Sequence, residues 1–555
     1  MRISIKTLSY LILGASIVLA IITRFYKLGE VPKGFYVDEA GYGYSAYSIL
    51  KTGKDEFGKA LPIIFRSFTD YKTSVYAYLI VPLIPIFGLT AFAVRFPSFF
   101  FGALTIPLLF LLVREISPKK QSLVLASLAS LLLAISPWHI LFGRTTLESN
   151  VALFFFLGGI YLFYRGLKKP YLLILSAISF AIAIPAYQAQ RIITPLTVLI
   201  LLIRYKKTLL SKPYIKPLLI GAIVALLISI PTLSVASTPG FWARATGLNI
   251  FFSNRFSPLE YMPGLTGLLG SFLNSPFFLS TREFLSLYFA YLFPRNMFIL
   301  GDYDPRVSFP ELATFFVWQA PFYLLGLYVL IKDKKLGDLR FLTLVLLLIG
   351  PLPAATTRDP YSSIRALHLV IPQIVAVSLG ITYFFGYLKK RIYRLAAVGL
   401  FILVVVYSIA KLYSSVIILN EYYRAQDLDY GWEEVAATLK TLDPKLGVVV
   451  DDARENPYIH LLFFLRFDPI TYQKENFEVP LSEYYTNMYV QKVKKIGNIT
   501  VRGIDWKPDL KIKQYLVGDS LAISTQQIEV HGLTLIKEVY YPDGSPAFRI
   551  VQTNP

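Results

Sequence analysis

Cysteine is absent from all 555 residues, which excludes thiol catalysis, thiolate metal sites and disulfides and leaves the redox compartment open. Histidine is nearly absent too: His139, His368, His460 and His531 are too few and too scattered for a His-rich metal site. Charge is scarce, at 16% of residues against 55% hydrophobic, so most helices must face lipid and the chain reads as a polytopic membrane protein. Internal repeats and low-complexity tracts are missing as well. Acids are outnumbered, 35 against 55 Lys and Arg, for a formal net charge of +20. That surplus does not point to nucleic acid, because the basic residues fall in short runs between apolar segments.

What is present is a series of apolar runs near the roughly 20 residues of a bilayer crossing. They lie at 8–24, 96–113, 121–137, 149–164, 171–186, 192–203, 217–236, 313–331, 341–356, 366–387 and 395–411, eleven expected spans. The first follows Arg2 and Lys6, lacks a small-x-small cleavage pattern before Arg24, and reads as an uncleaved span. The connections alternate in charge: Arg114/Lys119/Lys120, Arg165/Lys168/Lys169, RYKKTLLSKPYIK, KDKKLGDLR and KKRIYR fall in every second one, and the positive-inside rule sets them in the cytoplasm with the N-terminus. Counting TSVYAYLIVPLIPIFGLTAFA (73–93) as a span would reverse every later loop. With Pro82 and Pro85 it reads instead as a broken, interfacial or re-entrant piece.

The expected fold class is therefore mainly α, a polytopic membrane helical bundle over 1–411. Its first outer loop is 25–95 and a long outer loop runs from 237 to 312. After 411, GVVVDDA, NITVRGI and QIEVHGLTLIKEV around a helical GWEEVAATLKTL read as a soluble extracytoplasmic α/β domain, 412–555. The long loop, with FWARATGL and PRNMFILGDYDPR, has the length of a lid or binding element. Without an endoplasmic-reticulum retention tail, the expected location is the plasma membrane.

On this topology the unusual polar residues gather on the outer face: Asp38, Glu39, Lys72, Arg95, Arg144, Glu148, Gln188, Arg191, Arg358, Arg365 and His368. Ionisable groups at span ends are costly unless paired, hydrated or used, so together they outline a polar cavity. A carboxylate there suits a general base, and arginine forks suit the oxygens of a departing phosphate. Base, phosphate clamp and lipid-level location together fit a sugar carried through phosphate on a long isoprenoid lipid.

YVDEAGYGYSAY resembles the Asp-Glu motif in the first outer loop of the C-type (GT-C) glycosyltransferases, particularly the family 39 protein O-mannosyltransferase and aminoarabinose-transferase group. DYKTSVYAYL is similar to that group's Lys-Pro-Pro-Leu segment, AFAVRFPSFFFGALTIPLLF to its Arg-containing entry to the second span, and FGRTTLESN to its Arg-x-x-x-acid segment. FILGDYDPR and SIRALHLVIP resemble later outer-loop segments, so the likeness covers residues 8–411 and rests on the order of motifs. It implies a GT-C-like fold with Asp38 as catalytic base, Glu39 as its motif partner and Glu148 as a second acid lining the cavity. Lys72, Arg95, Arg144, Arg191 and Arg365, with His368 on the loop of Arg365, are implied to bind the lipid phosphate or orient the carboxylates. The chain departs from the pattern where Thr73 and Ser74 replace the two prolines, and where Glu148 stands for aspartate. The implied donor is a polyprenyl-phosphate sugar, and the acceptor a protein, lipid or glycan. No cofactor is expected. A divalent metal on Asp38, Glu39 and Glu148 is a lesser alternative.

Plainer roles stay open for the same residues. Asp38 suits a helix N-cap, Glu39 a first-turn acid, and Glu148 an ion pair with Arg144 four residues away. Arg95 and Arg191 suit headgroup anchors, and His139 and His368 ordinary hydrogen-bonded side chains. A flippase for lipid-linked saccharides is the rival function, but it calls for charges deep within several spans, and here the span centres are nearly bare. A scaffold protein would not need acids and bases gathered at several span ends.

Overall fold

A computed structural model of the chain describes residues 4–68, 70–251, 264–453, 456–476, 480–487, 489 and 491–555. It divides into two compact units, the first built from Met1–Tyr26, Ser98–Ser237 and Phe241–Tyr413, the second from Lys27–Pro97, Thr238–Gly240 and Ser414–Pro555.

The first unit is helical. Each expected span coincides with a helix: Ile5–Phe25, Ala91–Ile116, Ser122–Ala134, Glu148–Gly166, Leu172–Ala186, Gln190–Arg204, Lys212–Ser234, Ala320–Lys332, Gly337–Ile349, Val370–Tyr387 and Arg391–Tyr413. Six stretches among the described residues are long and apolar enough to cross a membrane, and the protein is a multi-pass membrane protein. Others, such as Ser122–Ala134 and Leu172–Ala186, are shorter than the roughly 20 residues that a ~30 Å hydrocarbon core asks of a straight helix.

Without a hydrophobic force between helices in lipid, small residues and hydroxyls do the joining. Ser176 and Ser179 donate to the carbonyls of Gly159 and Phe155, both at 2.7 Å. Helices Ala320–Lys332 and Val370–Tyr387 cross where a Cβ on Gly326 would lie 1.8 Å from the Ala376 carbonyl oxygen, and one on Gly380 1.9 Å from that of Phe322. Only hydrogen fits at either position.

The long loop 237–312 carries helices Pro239–Leu248, Gly267–Leu273 and Pro276–Ala290, while its residues 252–263 lie outside the described residues. Its GDYD segment holds the loop that follows Ala355. Asp302 Oδ2 accepts the Ser363 amide at 2.7 Å, the Tyr291 hydroxyl accepts that of Ser362 at 2.8 Å, and Trp138 Nε1 donates to the Ser363 carbonyl at 3.2 Å.

The second unit holds a six-stranded mixed sheet in the order 494–496, 499–501, 448–450, 515–519, 546–552, 534–540. Val448–Val450 is its parallel centre, with Val449 opposite Thr500 on one side and Leu516 on the other. All three valines are buried, as expected of a strand covered on both faces. The C-terminal region is thus α/β, as expected. The compact units do not divide at 411, because residues 27–97 group with the C-terminal region. Tyr44 donates to the Phe467 carbonyl at 3.1 Å, Gln473 to that of Asp55 at 2.7 Å, and Tyr71 to that of Tyr484 at 2.6 Å. Such partners lie more than 400 residues apart, beyond the reach of hydropathy patterning. The 73–93 segment forms helix Val75–Ile80, a 3-10 turn Val81–Leu83 and helix Ile84–Phe87, broken around Pro82 and Pro85.

Candidate active site

In the second unit the Asp-Glu motif opens helix Val37–Thr52, with Tyr36 as N-cap. Asp38 stands two residues too far along to be the cap. Val37 N donates to Asp429 Oδ2 at 2.7 Å, and His460 Nε2 lies 3.3 Å from the same oxygen. Glu39 is buried and takes the first-turn role, accepting the Tyr36 amide at 3.3 Å. Its two oxygens also receive Arg95, Nε at 2.9 Å and Nη2 at 2.8 Å. The remaining Arg95 donors reach the carbonyls of Leu28 (3.3 Å), Pro32 (3.1 Å) and Gly34 (2.8 Å). All five guanidinium N–H groups therefore have protein acceptors. Asp38 is different: its carboxylate is half-buried, sits in the first turn at the positive end of the helix dipole, and makes no hydrogen bond or ion pair among the described residues.

Lys72 lies against the same helix, its ammonium 4.6 Å from the centre of the Tyr42 ring. A Cβ on Gly41 would come within 2.5 Å of Lys72 Nζ, and one on Gly43 within 2.5 Å of the Phe463 ring. The glycines that weaken helix propensity in this motif make room for a cation and an aromatic ring.

Two further acids belong to this region. Asp55 and Glu56 are buried, and burial pushes their carboxyls up, to about 6 and about 7. Lys72 and the Ser45 hydroxyl act against the shift at Glu56; Asp55 accepts the amides of Phe57 (3.1 Å) and Lys59 (2.9 Å) and the Tyr484 hydroxyl at 2.5 Å. Sequence reasoning passed over them: KDEF pairs adjacent acids as VDEA does, but Lys51, Lys54 and Lys59 around it give it the look of a solvated turn.

The other expected site residues lie in the first unit. Glu148 is the buried first residue of helix Glu148–Gly166. Arg144 is fully buried and donates to the carbonyls of Thr23 and Tyr26, both at 2.7 Å, bracing the end of helix Ile5–Phe25. Arg24, which the sequence reading left out, does the converse, reaching the carbonyls of Leu133 (3.2 Å) and Ala134 (3.1 Å) and His139 Nδ1 at 2.8 Å. His368 is buried, with Nε2 2.8 Å from the Gly350 carbonyl, so that nitrogen is the donor.

Arg191 and Arg365 meet at one cavity of about 150 Å³, walled by Phe241, Trp242, Ile192 and Leu248 and edged by Gln188, Asn249 and Thr357. Arg191 stacks on Phe241, 3.8 Å from its ring centre, and donates to its carbonyl at 2.9 Å. Arg365 pairs with Asp359 and donates to Thr357 Oγ1 at 3.1 Å. Among the described residues the lining holds two arginines and no carboxylate, beside apolar and aromatic walls. That combination suits an anion with a hydrocarbon tail. Among the described residues no three His, Asp or Glu side chains stand together as a metal site.

Residues 72–234 match the family model described as dolichyl-phosphate-mannose-protein mannosyltransferase. The match covers less than a third of the chain. It supports a membrane glycosyltransferase and bears out the resemblance read from the motif order. No curated protein matches the chain. Among solved structures, the chain is similar to ArnT from Cupriavidus metallidurans in the apo state, at 12% identity over 98% of both chains with a TM-score of 0.43. It is also similar to the archaeal oligosaccharyltransferase AglB from Archaeoglobus fulgidus in complex with an inhibitory peptide and a dolichol-phosphate, at 12% identity over 98% of this chain and 74% of that one, TM-score 0.49. Neither likeness bears on a substrate or a residue role.

Proposed function

We propose that the protein is an inverting glycosyltransferase that moves a sugar from a polyprenyl-phosphate carrier to an acceptor on the extracytoplasmic side. Asp38 is the general base. It takes the proton of the acceptor's nucleophile, which attacks the anomeric carbon. The bond from that carbon to the phosphate oxygen breaks on the opposite face, and its electron pair leaves with the lipid phosphate. Arg191 and Arg365 receive that phosphate, and the aromatic walls of their cavity take the first isoprene units. Glu39 and Arg95 hold the helix start that carries Asp38, while Arg144 and His368 brace the bundle rather than touch the donor. Lys72 and Glu148 add positive and negative charge to the polar surroundings. The C-terminal region guides the acceptor.

The observation that carries this reading is the contrast within one motif: Glu39 is committed to Arg95 and to the helix start, whereas Asp38 beside it has no partner among the described residues. An Asp38→Asn variant, assayed for sugar transfer from a polyprenyl-phosphate donor, is expected to lose on the order of 10²–10⁴-fold in turnover, the usual contribution of a general base, with an unchanged melting temperature. Transfer within threefold of the parent protein would overturn the assignment.

A further inference from the structure

A second and larger cavity, about 690 Å³, opens in the first unit. The stretch Lys334–Ala355 shows where it lies: Lys335 lines this cavity, while Pro353 lines the one shared by Arg191 and Arg365. At 1.5 Å per residue the two cavities open at opposite ends of the unit, a bilayer thickness of about 30 Å apart. By the charge rule this is the cytoplasmic end.

Six cationic side chains and two carboxylates line it. The carboxylates are already engaged: Glu115 pairs with Arg165 and Lys168, and Asp338 accepts the Tyr205 hydroxyl at 2.6 Å. The other four cations, Lys6, Arg114, Lys119 and Lys335, come from three separate stretches of chain and have no carboxylate partner among the described residues. Arg114 donates to the Tyr10 hydroxyl at 3.1 Å. Ser122 and Gly337, the first residues of two 13-residue helices, also line the space and add the positive ends of their dipoles. Leu111 and Leu123 supply apolar surface beside the charges.

We infer that this cavity binds the phosphate head group of an anionic phospholipid of the cytoplasmic leaflet. A diffuse basic surface would serve general attraction to that leaflet. Here the four uncompensated charges, all exposed, line one open cleft between helix ends, beside apolar side chains that an acyl chain can meet, so that several of them can hold a single head group at once. The inference does not depend on the transferase assignment.

The test uses the full chain in non-ionic detergent, titrated with phosphatidylglycerol or phosphatidylcholine and read by native mass spectrometry. Phosphatidylglycerol is expected to bind at least tenfold more tightly than phosphatidylcholine. The combined Lys6→Gln, Arg114→Gln, Lys119→Gln and Lys335→Gln variant should lose at least tenfold of that affinity. A control of equal charge change on the same side, Lys206→Gln, Lys207→Gln, Lys212→Gln and Lys216→Gln, should stay within twofold. Equal loss in the control would mean diffuse attraction and overturn the site. Displacement of the lipid by inorganic phosphate at the same concentration would mean a free-anion site and overturn the lipid assignment. Should the fourfold variant melt early, the exposed pair Lys119→Gln and Lys335→Gln replaces it, with an expected threefold loss; no loss overturns the proposal.

Discussion

Glu39 grips Arg95 through both carboxylate oxygens, at 2.9 and 2.8 Å, with both side chains almost wholly out of solvent. Breaking such a pair from one side leaves a buried charge uncompensated and costs about 3–5 kcal/mol, whereas replacing both members with apolar groups is often close to neutral. Arg95→Met is therefore expected to lower stability by about that amount, and the Arg95→Met/Glu39→Leu double variant to recover a large part of it. Equilibrium unfolding of the four proteins of the cycle in one detergent measures the coupling.

The two motif glycines should respond differently to a methyl group. At Gly43 the obstacle is the Phe463 ring at 2.5 Å and Val94 at 2.8 Å, so Gly43→Ala is expected to cost about 1–3 kcal/mol of overpacking. At Gly41 the obstacle is the ammonium of Lys72, the far end of a flexible side chain. Gly41→Ala should keep the melting temperature but displace Lys72 from the Tyr42 ring, reducing sugar transfer more than stability. Melting curves and turnover of the two variants separate the effects.

The buried acids set a pH dependence. Glu56 is raised from its ordinary 4.5 to about 7 and Asp55 from 3.8 to about 6, chiefly by burial. The native state therefore holds protons that the unfolded chain has already released, so these groups make stability fall as pH rises from about 4 to about 7 and level off above. Glu56→Gln mimics the protonated acid and should raise stability at pH 8 by on the order of 2–4 kcal/mol while changing little at pH 4.5. Melting temperatures of parent and variant across that range test the sign.

At the crossing of Ala320–Lys332 and Val370–Tyr387 the obstacles are backbone carbonyls, which cannot rotate aside. Gly380→Ala is expected to destabilise the first unit by more than ~2 kcal/mol, although alanine is the better helix former by about 1 kcal/mol in isolation. A rise in melting temperature would show that the helices do not meet there.

Much of the first unit was legible because a long apolar run in lipid has few alternatives to the helix, which satisfies its own backbone. Hydropathy alone therefore set each of the eleven apolar runs on a helix, and Pro82 and Pro85 told of the broken one at 73–93. The motif order carried the family resemblance, later matched over 72–234. What residue order could not carry was which ionisable groups are occupied. Asp38 and Glu39 are neighbours of the same chemistry, yet only Glu39 meets Arg95, 56 residues on. Arg191 and Arg365 share a cavity across 174 positions, and Asp55 and Glu56 look like surface acids until Tyr484 and the hairpin Ile64–Thr73 bury them. Composition and periodicity determined the helices and the broad chemistry, because solvent preference is a local property of each segment. Long-range packing alone decided which acid is free, which cations can meet an anion, and which body the first loop joins, because pairing and burial depend on residues brought together from distant parts of the chain.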